Sequence, residues 1–323
     1  MDNPIPVIPF LTLRFNLASL GQAFLPSFKG SMLRGAFGHA LKATVCTMPA
    51  SQSCRDCLLC NRCAYTQIFE PFIQGKAPRF LRGLDTPPRP FTLWCDSNDR
   101  KFAKDQRLKF HMTLFGTACE WVPYVVYAVH RMAERGLSAH RHRFRLDSVE
   151  MANSPGSDSE WSRIYDGNNG QLARAEAQRY VADLDIKDSV TLEFLSPTRF
   201  KSRNQLLMEF DFHTLIFKMF RRALEIAHFY APNGRVDWDM EYLAAAKHIE
   251  ITRRDLTWND WRRHSNRQKA DMKLGGFTGI LHCQGDLAHY SDLLQVSQIL
   301  SVGKGTTFGL GRMAIVKVNN RKF

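Results

Sequence analysis

The densest chemistry in the sequence lies near its C-terminus, in Ser301-Val-Gly-Lys-Gly-Thr-Thr-Phe-Gly-Leu-Gly311, with four glycines in nine residues. Glycine tolerates the backbone conformations that crowd amide groups around an anion. Lys304 is followed by Gly305 rather than Ser or Thr, and the loop leads from a helical pattern into a strand pattern, the reverse of a P-loop. Nucleoside triphosphate binding is therefore disfavoured. The loop suits a nucleic-acid phosphate, gripped by backbone amides, the Lys304 ammonium and the Thr306 and Thr307 hydroxyls. A tight turn with closely packed backbones is the alternative.

A second concentration is cysteine: five of the eight fall between Cys46 and Cys63, as Cys46 and then Cys54-x2-Cys57-x2-Cys60-x2-Cys63. C-x2-C pairs are metal-ligand spacing, and four thiolates make a closed structural zinc site. An iron–sulfur cluster is the alternative cofactor, although the C-x2-C-x2-C-x3-C-P ending is absent. Five crowded, unliganded thiols would be an oxidation hazard. Cys95, Cys119 and Cys283 stand alone in apolar stretches and read as small core residues.

The third segment is Trp258-Asn-Asp-Trp-Arg-Arg-His-Ser-Asn-Arg-Gln268. Two tryptophans three apart share one face of a helix, which would bury them in the core. Arg262, Arg263 and Arg267 then supply fork-shaped donors for phosphate. Arg141-His-Arg-Phe-Arg145 and Arg199-Phe-Lys-Ser-Arg203 extend the basic character. The chain carries 44 Lys and Arg against 31 Asp and Glu, a formal charge of +13, which attracts a polyanion. No apolar run is long enough to span a bilayer, and no basic region precedes an apolar one at Met1-Asp2-Asn3-Pro4. A cytoplasmic protein without membrane partners is expected.

These groups need a scaffold. Residues 8–17 alternate apolar with polar and predict a strand; Leu33, Ala36, Phe37, Ala40 and Leu41 predict an amphipathic helix over about 29–44. Strands at 91–95 and 107–115, a helix at 121–135 and a strand at 141–150 follow. A second set comprises a strand at 191–195, a helix at 212–230, strands at 247–253 and 276–284, a helix at 289–300 and a strand at 311–318. Each set is the split β-α-β-β-α-β pattern. The expected class is α+β: two tandem ferredoxin-like (RRM-like) domains with a cysteine-rich metal-binding insertion in the first. The boundaries are 1–155 with the insertion at about 45–75, a linker over 156–185, and 186–323 with the glycine-rich loop 301–311. The polar, aperiodic stretch 152–176 reads as loop.

The sequence resembles the repeat-associated (RAMP) superfamily, in particular the endoribonucleases that process CRISPR precursor RNA. Gly303-Lys-Gly-Thr-Thr-Phe-Gly-Leu-Gly-Arg312 is similar to the superfamily's glycine-rich signature. Phe28-Lys-Gly-Ser-Met-Leu-Arg-Gly-Ala-Phe-Gly38, the cysteine cluster with Phe69-Glu70 after it, and the Trp258–Gln268 segment with Gly275-Gly-Phe277 agree with it. The resemblance implies cleavage of a CRISPR repeat without a catalytic metal, by attack of the 2′-hydroxyl to leave a 2′,3′-cyclic phosphate. It implies CRISPR repeat RNA or crRNA, and other subunits of an effector complex, as partners. The alternative is a non-catalytic RNA-binding subunit of such a complex. Within the matching segments Lys29, Arg34, Arg262, Arg263, Arg267, Gln268, Lys304, Thr306, Thr307 and Arg312 are the expected RNA contacts. Related proteins match at Cys46, Cys54, Cys57 and Cys63 and leave Cys60 spare. His39 stands on the first helix, where related enzymes often carry a catalytic histidine, and lies roughly 140° from the apolar stripe. Histidine suits proton transfer near neutrality. Lys42, on the adjoining outward face, is the expected cation for the scissile phosphate.

Overall fold

The computed structural model describes residues 4–49, 51–73, 81, 83–84, 86–154, 160–202, 205–231, 237–260, 262–265, 270–319 and 321–322, with the backbone alone at 262–265 and 270–273. The chain divides into two compact units. One comprises Ile8–Arg179 with Phe229–Pro232, and the other Met1–Val7, Tyr180–His228 and Asn233–Phe323.

The first unit runs β1 (Pro9–Ser19), α1 (Gly30–Val45), α2 (Ala64–Ile68), β2 (Phe91–Trp94), β3 (Arg107–Phe115), α3 (Val122–Arg135), β4 (Phe144–Ala152) and β5 (Trp161–Asp166). Its strands pair antiparallel in the order β2-β3-β1-β4-β5. The first four positions of that order are the ferredoxin-like arrangement. Alternation along β1 puts Leu11, Leu13, Phe15 and Leu17 at zero exposure on the face that α1 and α3 cover. Phe15 stacks on Phe110 at 4.8 Å. Burying each such side chain contributes about 1.5–3 kcal/mol.

The other face of this sheet carries a cross-strand row, Trp94, His111, Arg14, Glu150 and Arg163, set by the register of all five strands. Trp94 stacks on His111 at 4.8 Å, and the Arg14 guanidinium lies 4.2 Å over Trp161. Arg14 Nε donates to Glu150 at 2.7 Å and Asn16 donates to it at 2.9 Å. Burial alone would raise the Glu150 carboxyl, but these hydrogen bonds and the charges of Arg14 and Lys109 outweigh it and hold the group below its ordinary value near 4.5. The unfolded chain therefore binds the proton more readily, so the stabilisation is complete at neutrality and is lost as pH falls through the lowered folded value. Urea titrations should find Glu150→Gln less stable than wild type at neutral pH, by no more than about 1 kcal/mol, with the gap closing in acid. A gap that persists at about pH 2 would assign the effect to packing.

The second unit runs β6 (Ser189–Thr198), α4 (Phe212–Tyr230), α5 (Met240–Ala245), β7 (Glu250–Asn259), β8 (Arg262–Ser265), β9 (Ala270–Lys273), β10 (Gly276–Gln284), α6 (Ser291–Leu300) and β11 (Met313–Val318). Its main sheet has the order β7-β10-β6-β11, the same arrangement repeated, and β8 and β9 form a separate two-stranded ribbon. No described helix is long and apolar enough to cross a membrane.

Two expectations are corrected. The stretch 152–176 is not all loop: Trp161–Asp166 pairs with β4 as an edge strand, and Gln178–Arg179 pairs with β1 inside the expected linker. The segment opening at Trp258 is not helical, because Trp258 and Asn259 are the last two residues of β7 and Arg262 opens β8. Trp258 is half-buried and its indole donates to Asp260 at 2.9 Å.

Candidate nucleic-acid interface

In the first unit, α1 buries Leu33, Phe37, Ala40 and Leu41 and leaves His39 exposed. Among the described residues no hydrogen-bond or ion-pair partner engages its imidazole. The neighbouring Gly38 forms a seat: a Cβ there would lie 2.1 Å from the Phe69 ring. Phe69 also meets Phe37 edge-on at 6.1 Å and stacks on Tyr65 at 5.5 Å. An aromatic wedge thus fixes the insertion to the helix that presents His39.

Lys42 is not displayed in the same way. Its ammonium lies 5.4 Å over the Tyr65 ring and acts on the Cys54 thiol. Arg34 is half-buried with its guanidinium 4.7 Å over Phe69. Lys29, expected to touch RNA, is corrected outright. It is 1% exposed, and its ammonium donates to the carbonyls of Ser27, Ser97 and Asp99 at 3.3, 2.9 and 2.7 Å. Burial lowers the Lys29 ammonium below its ordinary value.

The cysteine segment is a series of short turns. Cys57 N–H donates to the Cys54 carbonyl at 3.4 Å and Cys60 N–H to the Cys57 carbonyl at 3.0 Å, folding back the chain between successive C-x2-C thiols. Cys54 and Cys63 pack on the core, and burial, then Glu70, Cys46 and Cys63, push the Cys54 thiol up against the opposing pull of Lys42. Cys46, Cys54 and Cys63 therefore share a neighbourhood. Among the described residues, however, no three His, Cys, Asp or Glu side chains stand close enough to hold a metal ion. Cys119 and Cys283 are buried, their thiols pushed up to about 12, and are inert core residues as expected.

In the second unit the glycine-rich loop is built on left-handed backbone. Gly303, Gly305, Gly309 and Gly311 have φ of 80°, 88°, 87° and 76°. At Gly311 an added Cβ would lie 1.8 Å from the Val302 carbonyl oxygen, so only glycine fits. Lys304 N–H donates to Arg199 O, and Gly311 N–H to Pro197 O, tying the loop to the end of β6. The amides of Gly303, Gly305, Thr306 and Thr307 have no partner among the described residues, and Lys304 is exposed. The threonine hydroxyls are a correction. Both side chains are buried, and Thr306 Oγ1 accepts from Arg222 at 3.3 Å. Amides and cations, rather than hydroxyls, are what the loop can offer a phosphate.

Residues that sequence reasoning missed stand beside it on α4. Lys218 is lowered first by burial and then by the charges of Arg221 and Lys304, which places three cations together. Three cations within the apolar run Phe217-Lys-Met-Phe-Arg-Arg222 were the available signal. Lys218 also lines a groove of about 960 Å³ with Phe210, Phe212, Phe217 and Arg254. Arg312 is half-buried, with its backbone tied to Ser196 and Leu195. Arg262 and Arg263 lie on β8, where the backbone alone is described, and Arg267 and Gln268 lie outside the described residues.

Two units of this topology, the second closing on a glycine-built turn among cations, are the architecture expected of the repeat-associated CRISPR proteins. Residues 192–313 match the family described as CRISPR-associated endoribonuclease Cas6, and residues 8–177, more than half of the chain, match a family described as an N-terminal domain. The chain thus pairs a second half similar to the CRISPR-associated Cas6 endoribonucleases with an N-terminal domain of the other family. It is 22% identical over 299 residues to an Archaeoglobus fulgidus protein described as uncharacterized, covering 90% of this chain and 92% of that one. The fold is similar to that of Cas6 from Thermus thermophilus, at 15% identity and a TM-score of 0.52 over 95% of this chain and 98% of that one. It is similar also to a chain of a partial Cas6-RT-Cas1–Cas2 complex, at 12% identity and a TM-score of 0.55 over 99% of this chain and 47% of that one.

Proposed function

We propose that this protein binds CRISPR repeat RNA and cuts the precursor at one phosphodiester by metal-independent transesterification. The 2′-oxygen bonds to phosphorus, the bond to the 5′-oxygen breaks, the 2′-hydroxyl proton passes to a base, and an acid protonates the leaving 5′-oxygen. The product is a 2′,3′-cyclic phosphate. The observation that carries the reading is His39: an imidazole displayed on the outer face of α1, able to serve as either proton carrier, in a chain whose second half matches the Cas6 endoribonucleases. Lys42 is the second candidate at this site. The amides of the glycine-rich loop with Lys304, Lys218 and Arg221 are proposed to hold RNA phosphates. Incubating the protein with its repeat RNA in EDTA tests this, with phosphatase resistance of the new 3′ end marking the cyclic product. Binding without cleavage would favour a non-catalytic subunit, and cleavage only with added metal would remove the mechanism.

We further propose that Cys46, Cys54, Cys57 and Cys63 hold a structural zinc ion that orders the insertion and takes no part in the chemistry. The turns between the C-x2-C pairs and the shared neighbourhood of Cys46, Cys54 and Cys63 support this. Elemental analysis should find about one zinc per chain, lost in a Cys54→Ser, Cys57→Ser variant that also melts at lower temperature. A visible absorption band with bound iron would replace zinc by a cluster, and metal-free protein with the wild-type melting temperature would end the proposal.

A further inference from the structure

We propose that the outer face of α3 and the turn following it form a second RNA-binding surface, which takes unpaired nucleotides by base stacking and phosphate contact. The proposal rests on the reading of the chain as an RNA processor and concerns the first unit alone, on the helix that packs beside α1.

Helix α3 buries Val125, Val126, Val129 and Met132. Its opposite face presents Tyr124 and Tyr127, flanked by Trp121 before the helix and by His130. Trp121 and Tyr124 have centroids 5.4 Å apart, and Tyr127 stacks on His130 at 6.3 Å and 15°. Tyr124 is 45% and Tyr127 51% exposed. Residues three apart are neighbours on a helix, so Tyr124 and Tyr127 lie side by side where these two ring pairs meet. Successive planar rings in solvent are platforms for bases, whose π-faces stack without regard to sequence.

Cations follow the rings. His130 and Arg131 both face Glu134, at 3.4 and 3.2 Å, but Arg135 and Arg141 have no ion-pair partner among the described residues. The turn that presents Arg141 is closely built. Leu137 and His142 exchange both backbone hydrogen bonds at 2.8 and 2.9 Å, and Ser138 and Arg141 adopt φ of 66° and 52°. Two non-glycine residues in left-handed conformation within four positions are strain that must be over-determined by its surroundings, a state that gathers where function requires it. Gly136 completes the fit, since a Cβ there would lie 2.2 Å from the Arg141 carbonyl oxygen.

The occupant follows from what the face lacks. Val122, Val125, Val126 and Val129 are all buried, so no aliphatic side chain of α3 is offered to an apolar protein partner. The face offers exposed rings with the guanidinium groups of Arg135 and Arg141, while its carboxylate Glu134 is engaged by His130 and Arg131, which suits a single-stranded polyanion.

The test uses the full chain and a labelled oligouridine followed by fluorescence anisotropy. Tyr124→Ala with Tyr127→Ala, and separately Arg135→Glu with Arg141→Glu, should each weaken binding by about tenfold or more. Tyr124→Phe with Tyr127→Phe should bind as wild type, because the rings remain. Cleavage of the minimal repeat should be unchanged in all three. Unaltered oligouridine affinity in the alanine variant, or an equal loss in the phenylalanine variant, overturns the proposal. Self-association lost in the alanine variant with RNA affinity intact also overturns it, by making this a protein interface. A wild type that never cuts repeat RNA ends the catalytic reading and leaves this surface standing if oligouridine binding still depends on the tyrosines.

Discussion

Replacing His39 with alanine is expected to slow repeat-RNA cleavage by about 10²–10⁴-fold, the range that one positioned proton-transfer group supplies. Affinity should stay within about twofold, since phosphate contacts spread over many cations dominate RNA binding and one imidazole adds little to them. Stability should be unchanged to within about 0.5 kcal/mol, because the side chain is exposed and contacts no partner among the described residues. That combination separates a chemical role from a structural one. Single-turnover cleavage with excess enzyme measures it without interference from product release. If variant and wild type cut equally, the proton carriers lie elsewhere on the chain and α1 merely displays a histidine.

The second large effect is expected at Lys29, with the opposite pattern. Lys29→Met keeps most of the volume but strips three carbonyls, those of Ser27, Ser97 and Asp99, of their shared donor. An acceptor left without its donor costs about 1–3 kcal/mol where it is cut off from water, and these three carbonyls are part-buried, while removal of the ammonium relieves its own desolvation. A net loss of about 3 kcal/mol, and a fall in melting temperature of about 6–12 °C, should follow. The ammonium ties the Ser97–Asp99 segment to the residue that opens α1, so both should loosen together under hydrogen exchange. The salt dependence of RNA binding should keep the wild-type slope, whereas Lys304→Ala should reduce it by about 0.7, the value for one contact to single-stranded RNA. A reduced slope in Lys29→Met, with an unchanged melting temperature, would return Lys29 to the RNA surface.

The contrast shows where sequence reasoning reaches. Strand β1 and helix α3 are legible because their apolar positions repeat at the distinct periods of a half-buried strand and an amphipathic helix. The outward position of His39 follows from the same arithmetic. The environment of Lys29 does not, because two of its three acceptors are main-chain atoms 68 and 70 residues away and backbone carbonyls leave no trace in a sequence. The strand Trp161-Ser-Arg-Ile-Tyr-Asp166 is hidden by its place at a sheet edge, where only Ile164 is buried and the rest reads as polar loop. At Trp258 a spacing of three invited a helix, yet the segment crosses from one strand into another. The glycine loop was recognised by composition, but the inward turn of Thr306 depends on Arg222, brought there only by folding.

In both units the first and last of the four core strands lie side by side and antiparallel, with Leu13 opposite Met151 in one and Val190 opposite Val318 in the other. The chain therefore leaves each unit next to where it entered. A gene segment encoding such a unit can be copied in tandem with only a short join and no rethreading of either copy, which is the economy a protein made of two like halves requires. For the same reason, a cargo fused after the last strand is carried beside the start of β6, at the end of the sheet opposite the glycine-built turn.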